Sequence, residues 1–165
     1  MVKQANSFEI YVSVKNQTLD VRQNEKSVMT TDVSTAANGA GETHGSECTP
    51  RGWHQVRAKI GDNCPANTIF VGRRPTGEIY TPELAKTFPD RDWILTRILW
   101  LSGLEPGFNR MGNVDTMRRF IYIHGCPDED AMGHPGSHGC IKMRNQDVIK
   151  LYDLVPVGTQ VLITE

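Results

Sequence analysis

The stretch 133-GHPGSHGCIKM-143 sets two histidines, a serine and a cysteine among three glycines and a proline. Those residues admit a metal knuckle, a serine-hydrolase turn, a cysteine nucleophile in a pocket, or a plain polar loop. A serine nucleophile elbow requires Gly-x-Ser-x-Gly, yet Pro135 stands two residues before Ser137, and the strand–helix alternation of that fold is missing. Zinc has potential ligands in His124, Cys126, His134, His138 and Cys140. However, no Cys-x2–4-Cys pair occurs, and no carboxylate lies in the tight cluster to serve as a metal-site base. The expectation is therefore no metal and no cofactor.

The cysteine reading fits best. A thiol nucleophile needs a base, donors for the developing oxyanion and room for a carbonyl to approach. Gly139, lacking a side chain, lets backbone and substrate come close, and the amides of Gly139 and Cys140 are the natural oxyanion donors. Two histidines are in reach as the base. His124 ends the strongly β-forming run 119-RFIYIHG-125 at a strand tip, and His138 would share a face with Cys140 in an extended chain. Pairing with either predicts a lowered Cys140 pKa. Cys126 is a weaker nucleophile candidate, because Pro127 follows it and no glycine–amide pocket precedes it.

Outward from this core the chain reads as mostly β. Phe8, Ile10, Val12 and Val14 alternate with polar neighbours, and turns at Lys15–Gln17 and Gln23–Asn24 make a meander with strands near Leu19–Val21 and 27–33. Residues 34–52 form a long glycine-rich loop, functional or mobile. A strand over 53–60 puts His54 on a face with Val56, Ala58 and Ile60, so His54 is expected to be a satisfied core histidine. Residues 61–90 look loop-rich, with one helical turn at Leu84–Lys86. The apolar run 92-DWILTRILWLSG-103 fits a helix face or a doubly buried strand equally well. Asn145 caps an amphipathic helix carrying Val148, Leu151, Tyr152 and Val155, Pro156 ends it, and 160-QVLIT-164 closes the chain as a strand.

The bulk composition of the 165 residues suits one domain over 1–165: 38% hydrophobic, 22% charged, net charge −1 and pI near 6.5. No basic stripe points to nucleic acid, and no apolar run reaches membrane-spanning length. The opening MVKQANSFEIYVSV lacks the order of a secretory signal, which predicts a cytoplasmic protein, or a periplasmic one if an export signal has been removed. The four cysteines show no CxxC spacing and are expected as free thiols, at least one of them reactive.

At this point 122-YIHG-125 followed by 137-SHGCIKM-143 resembles the signature of the L,D-transpeptidase catalytic domain (YkuD) family. In order along the chain, 33-VSTA-36, 49-TPRGWHQV-56 and 157-VGTQVLI-163 resemble further family segments. The likeness runs from Phe8 to Glu165 and is weakest between 61 and 115. It implies a mainly β, mixed-sheet sandwich with one or two short helices and a cysteine at the bottom of a cleft. It also implies attack on the carbonyl at the L-centre of diaminopimelate in a murein tetrapeptide, expelling D-alanine. By the same resemblance Cys140 is the nucleophile, His124 the base, and the Gly125 carbonyl orients the imidazole. His138, Gly139 and Cys140 then line the oxyanion site, and Ser137 supports the loop or touches substrate.

Two residues depart from the family pattern: Lys142 stands where arginine is usual, and Cys126 where threonine is common. The resemblance also turns 92–101 into a strand facing the cleft, which makes Arg97, with Arg119 and Arg144, a candidate for pairing substrate carboxylates. The expected partner is thus a peptidoglycan tetrapeptide or muropeptide. With a cytoplasmic location, water is the expected acyl acceptor and the reaction an L,D-carboxypeptidase step of murein recycling. With an amine acceptor it would be a 3–3 cross-linking or protein-anchoring transpeptidation.

Overall fold

The computed structural model describes residues 7–165, so the first six residues of the N-terminal reading lie outside the described residues. The meander forms as expected from β1 (Phe8–Ser13), β2 (Thr18–Gln23) and β3 (Lys26–Asp32). Period-2 alternation drives Ile10, Val12, Leu19 and Val21 fully into the core. The β2–β3 link turns on Asn24 and Glu25, with φ of 51° and 69°, the pair of positive values that a tight hairpin turn requires. The final strand β10 (Gln160–Thr164) runs parallel to β1 and antiparallel to β4 (Gly52–Ile60), making the sheet mixed.

The ambiguous apolar run is a strand, β7 (Ile94–Gly103). Its five residues Leu95–Leu99 are all buried, so no polar face marks a period and both patterns fit equally well. This strand is where the sheet branches. It pairs with β4 over Ile98–Gly103, with β5 (Thr68–Val71) at Ile94 and Leu95, and with β8 (Tyr122–Gly125) between Leu95 and Trp100. β8 in turn carries β9 (Ile141–Met143) in parallel. The helix α2 (Asn145–Leu154) follows β9 and packs on β7 and β8. The main core lies between the two arms, joining Ile10, Val21, Val56 and Val161 to Ile123, Ile141, Val148 and Leu151. Each such side chain contributes about 1.5–3 kcal/mol by leaving water.

Three local expectations need correction. Residues 61–90 are not mainly loop: β5 and β6 (Arg74–Ile79) form a hairpin, and α1 (Pro82–Thr87) follows. Pro75 and Gly77 read as loop punctuation, but β6 is the edge of the sheet, where a missing N–H costs no ladder bond. Next, Arg119–Ile121 do not extend β8. Phe120 has φ of 55°, so the chain turns there before entering the strand. Finally, Asn145 does not cap α2; Arg144 occupies the cap position without a side-chain bond. The Asn145 amide accepts from Thr96 Oγ1 (2.6 Å) and donates to Cys126 O (3.0 Å), tying the helix start to β7 and to the end of β8. None of the described helices is long and apolar enough to cross a membrane.

Candidate active site

Strand alternation builds the site. In the parallel pair β8–β9, Ile123 stands opposite Ile141 and both are fully buried in the main core. Their neighbours in the chain must point the other way. Those neighbours are Tyr122 and His124 on β8, and Cys140 and Lys142 on β9 and just before it. All four line one cleft of about 440 Å³. The remaining wall comes from the hairpin tip (Gly72, Arg73), from Asp92 and Ile94, from Arg119–Ile121, and from Ser137 and His138. The structure thus brings Cys140, His124, His138, Ser137, Arg119 and Lys142 together, with Gly125 and Gly139 in the backbone beneath.

The cysteine loop is held from two sides. Ser137 is buried; its hydroxyl donates to Cys140 O (2.5 Å) and accepts from the Gly139 amide (3.2 Å). In the resting loop the Gly139 amide is therefore turned to Ser137, and an oxyanion there would compete with that hydroxyl. Gly139 itself has φ of 128°, and a Cβ on it would lie 3.2 Å from Cys48 O and 3.1 Å from Ile121 Cδ1. The second support is the long loop 34–52, which is tied down and carries side chains that hold the site. Thr49 Oγ1 donates to Gly139 O (2.9 Å), and the Ala36 amide donates to that same hydroxyl (3.0 Å). Backbone bonds join Ser34 to Lys142 and Thr35 to Gly136 and Ser137. Thr35 and Thr49 were missed as positioning residues; their only sequence signal was membership of the VSTA and TPRG segments.

The Cys140 thiol rests as a thiol. Burial pushes its pKa up to about 12, against the lowering effects of the Tyr122 amide, Arg119 and Lys142. The Tyr122 N–H donates to Sγ at 3.3 Å, and Sγ in turn donates to Phe120 O at 3.5 Å. The lowering of the Cys140 pKa expected from histidine pairing is thus opposed by burial, although the side chain is partly exposed on the cleft. His124 is 1% exposed, and burial lowers its pKa below the ordinary value. Its Nδ1 lies 2.6 Å from Gly125 O, which fixes the proton on Nδ1 and leaves Nε2 as the basic nitrogen. Among the described residues no hydrogen bond joins thiol to imidazole.

The arginine candidates separate. Arg119 is half-buried on the cleft wall, but its guanidinium donates to Gly41 O, Ser46 Oγ and Cys48 O, bracing the 41–48 loop. Arg97 is not in the cleft. It is 7% exposed, with Nη1 donating to Cys64 O and Thr96 O, and it lies over the Tyr152 ring on the face opposite Ile94 and Ile98. Arg144 also points elsewhere, holding Asp128 O and Asp130 O. Lys142 lines the cleft but is paired with Asp130 at 2.7 Å. Arg73, which the loop reading of 61–90 hid, lines the cleft from the hairpin tip. Cys126 is fully buried with its thiol on Met143 O and a pKa pushed up to about 12 by burial, which removes it as a rival nucleophile. His54 is a satisfied core histidine, bonded to Gly52 O and Thr116 Oγ1. Among the described residues no three His, Cys, Asp or Glu side chains converge as metal ligands would.

The family model of the L,D-transpeptidase catalytic domain, YkuD, matches residues 7–163. The chain belongs to that family. Bacillus subtilis YqjB, which carries a provisional L,D-transpeptidase name, is 44% identical over 59 residues, 36% of this chain and 32% of YqjB. B. subtilis YkuD is 49% identical over 41 residues, 25% of each protein. Among solved structures, L,D-transpeptidase 3 from Mycobacterium tuberculosis, in complex with a faropenem-derived adduct, superposes with a TM-score of 0.60 at 18% identity. That match covers 97% of this chain and 61% of the other. An L,D-transpeptidase from Mycobacterium smegmatis gives 0.58 at 18% identity, covering 97% and 59%. The YkuD-type mainly-β fold is thereby established, and this chain spans about three fifths of those solved relatives.

Proposed function

We propose that this protein is a cysteine acyl-transfer enzyme acting on a murein tetrapeptide. Cys140 attacks the carbonyl at the L-centre of diaminopimelate, D-alanine leaves, and water resolves the acyl-enzyme, which makes the reaction an L,D-carboxypeptidase step. One observation carries the reading: a thiol and a neutral, tautomer-fixed imidazole line the same open cleft. On substrate binding His124 Nε2 accepts the Sγ proton as sulfur bonds to carbon. It then returns that proton to the leaving amine; in the second half it takes one from the attacking water and passes it to Sγ as the carbon–sulfur bond breaks.

A second reading keeps the same first half and uses an amine acceptor. It has room in a smaller hollow of about 340 Å³ across the Ser137–His138 ridge, lined by Asp90, Asp92 and Arg91 together with the Lys142–Asp130 pair. Family membership supports both fates equally. We place the reaction in the cytoplasm, as a recycling step; four free thiols suit a reducing compartment. Fractionation of cells carrying the natural gene product tests that placement.

The activity test is incubation with disaccharide-tetrapeptide, with and without an amine acceptor, followed by mass spectrometry. Free D-alanine and tripeptide support the carboxypeptidase. Cross-linked product in the presence of amine replaces it with the transpeptidase, and D-alanine release by Cys140→Ala removes the mechanism altogether.

A further inference from the structure

We propose that Arg73, at the tip of the β5–β6 hairpin, is the specificity-determining cation of the cleft and anchors a free carboxylate of the peptide substrate. The inference rests on the acyl-transfer reading above and adds which group of the substrate is recognised, and by what.

The placement comes first. Arg73 lines the same cleft as Cys140 and His124. Its Nη1 donates to Tyr122 Oη at 3.1 Å, and the Tyr122 amide donates to Cys140 Sγ at 3.3 Å, so one residue ties the guanidinium to the nucleophile. The guanidinium carbon also lies 4.9 Å from the ring centres of both Trp100 and Phe120. Such stacking holds the plane while leaving edge N–H groups free, and only one of its five donors is used.

Its charge is available. Among the described residues no carboxylate lies within ion-pair distance of Arg73, although Asp92 lines the same cleft. The other cations of the cleft are already engaged. Lys142 is neutralised by Asp130, and Arg119 has backbone carbonyls and a hydroxyl on its fork. An unpaired, stacked guanidinium is the geometry that receives a carboxylate bidentately.

The turn itself points the same way. Gly72 and Arg73 link β5 to β6 with φ of 55° and 62°, and such two-residue turns favour Asn, Asp or Gly at both positions. Arginine there opposes the local preference, and departures of that kind concentrate at functional sites.

A murein tetrapeptide offers three carboxylates: one on the leaving D-alanine, one on the second centre of diaminopimelate, and the α-carboxylate of the γ-linked D-glutamate. The test uses wild type, Arg73→Asn (charge removed, turn preference kept) and Arg73→Lys (charge kept, fork removed). Each is assayed on the free tetrapeptide and on three forms, each amidated at one of the three carboxylates. The expected result on free substrate is a fall in kcat/KM of roughly ten- to a hundredfold for Arg73→Asn, carried mainly by KM, with a smaller fall for Arg73→Lys. On the amidated form lacking the anchored group, wild type is as poor as the variant and the mutational effect disappears, which identifies the carboxylate. An equal loss on all four substrates, or no loss on any, overturns the role of Arg73 while leaving the reaction standing. No turnover of any substrate by wild type overturns the reaction and this assignment with it.

Discussion

His124 Nδ1 lies 2.6 Å from the carbonyl oxygen of Gly125, the next residue in β8. A carbonyl only accepts, so Nδ1 carries the proton and Nε2 is the free base. The backbone performs the orienting role that many catalytic histidines assign to a carboxylate. Gly125 is confined for the same reason that makes it useful: a Cβ there would lie 2.3 Å from Asn145 Oδ1 and 2.7 Å from Leu95 O. Base, tautomer and strand packing are thus one constraint.

The burial that keeps His124 neutral sets the acid side of the pH profile. Its pKa is lowered from 6.5, so the ring stays unprotonated as pH falls through 6.5 and becomes protonated only below its lowered value. D-alanine release measured as kcat/KM is expected to hold through pH 6.5, with its acid limb below that. A limb centred at or above 6.5 would contradict a neutral buried base.

Cys140 sets a second, separate profile. With its thiol pushed up to about 12, the free enzyme holds very little thiolate near neutrality, and the amount grows tenfold per pH unit. Alkylation of Cys140 by iodoacetamide, followed by peptide mass mapping, is expected to rise steadily from pH 7 to pH 10. A plateau near pH 6 or 7 would mean a preformed ion pair.

The cysteine loop depends on one glycine. Gly139→Ala forces a Cβ at φ of 128° to within 3.2 Å of Cys48 O, a backbone atom that Arg119 also holds. Loop displacement should cost roughly 1–3 kcal/mol in stability. Turnover should fall by about a hundredfold or more, since a shift near 1 Å at a reacting atom suffices. Urea melts and D-alanine release measured together check the pair; full activity would show that the loop tolerates the side chain.

How legible this was depended on how local the signal was. The meander, the closing strand and α2 follow from alternation and helical spacing within single segments. Cys140 was legible beside Gly139, whereas His124 was separated from His138 only by the resemblance to the family signature. Arg73 was not legible, because it acquires its role only when a hairpin whose edge strand tolerates Pro75 folds over Trp100 and Phe120. Arg97 misled for a related reason: with both faces of the run buried, nothing in its pattern says which face meets the cleft, and alternation puts Arg97 opposite the cleft-lining Ile94.

Asn145 joins three parts of the chain that carry the site. Its amide engages Thr96 Oγ1, Asn67 Oδ1 and Cys126 O, and the residue is 5% exposed. Thr96 meanwhile holds φ of 74°, a costly conformation for a β-branched residue that these bonds help to secure. Asn145→Ala leaves buried partners unsatisfied and should destabilise by about 2–4 kcal/mol, read by urea melts. A loss under 1 kcal/mol would mean that water replaces the amide.

His54 gives the fold its own acid sensitivity, distinct from the site. Burial lowers its pKa from 6.5 to about 4, and the ring is held between Gly52 O and Thr116 Oγ1. Above pH 6.5 neither folded nor unfolded chain protonates this ring. Between 6.5 and about 4 only the unfolded chain does, so stability falls with pH across that window, by about 3 kcal/mol in total from this residue. Below it both states are protonated and the contribution levels off. Urea melts at pH 7, 6, 5 and 4 should show that loss in wild type. In His54→Gln, which keeps a polar partner for Thr116 and cannot titrate, the decline should be shallower by the same amount even though its stability at pH 7 is lower. Parallel pH profiles for the two proteins would show that His54 does not govern the decline.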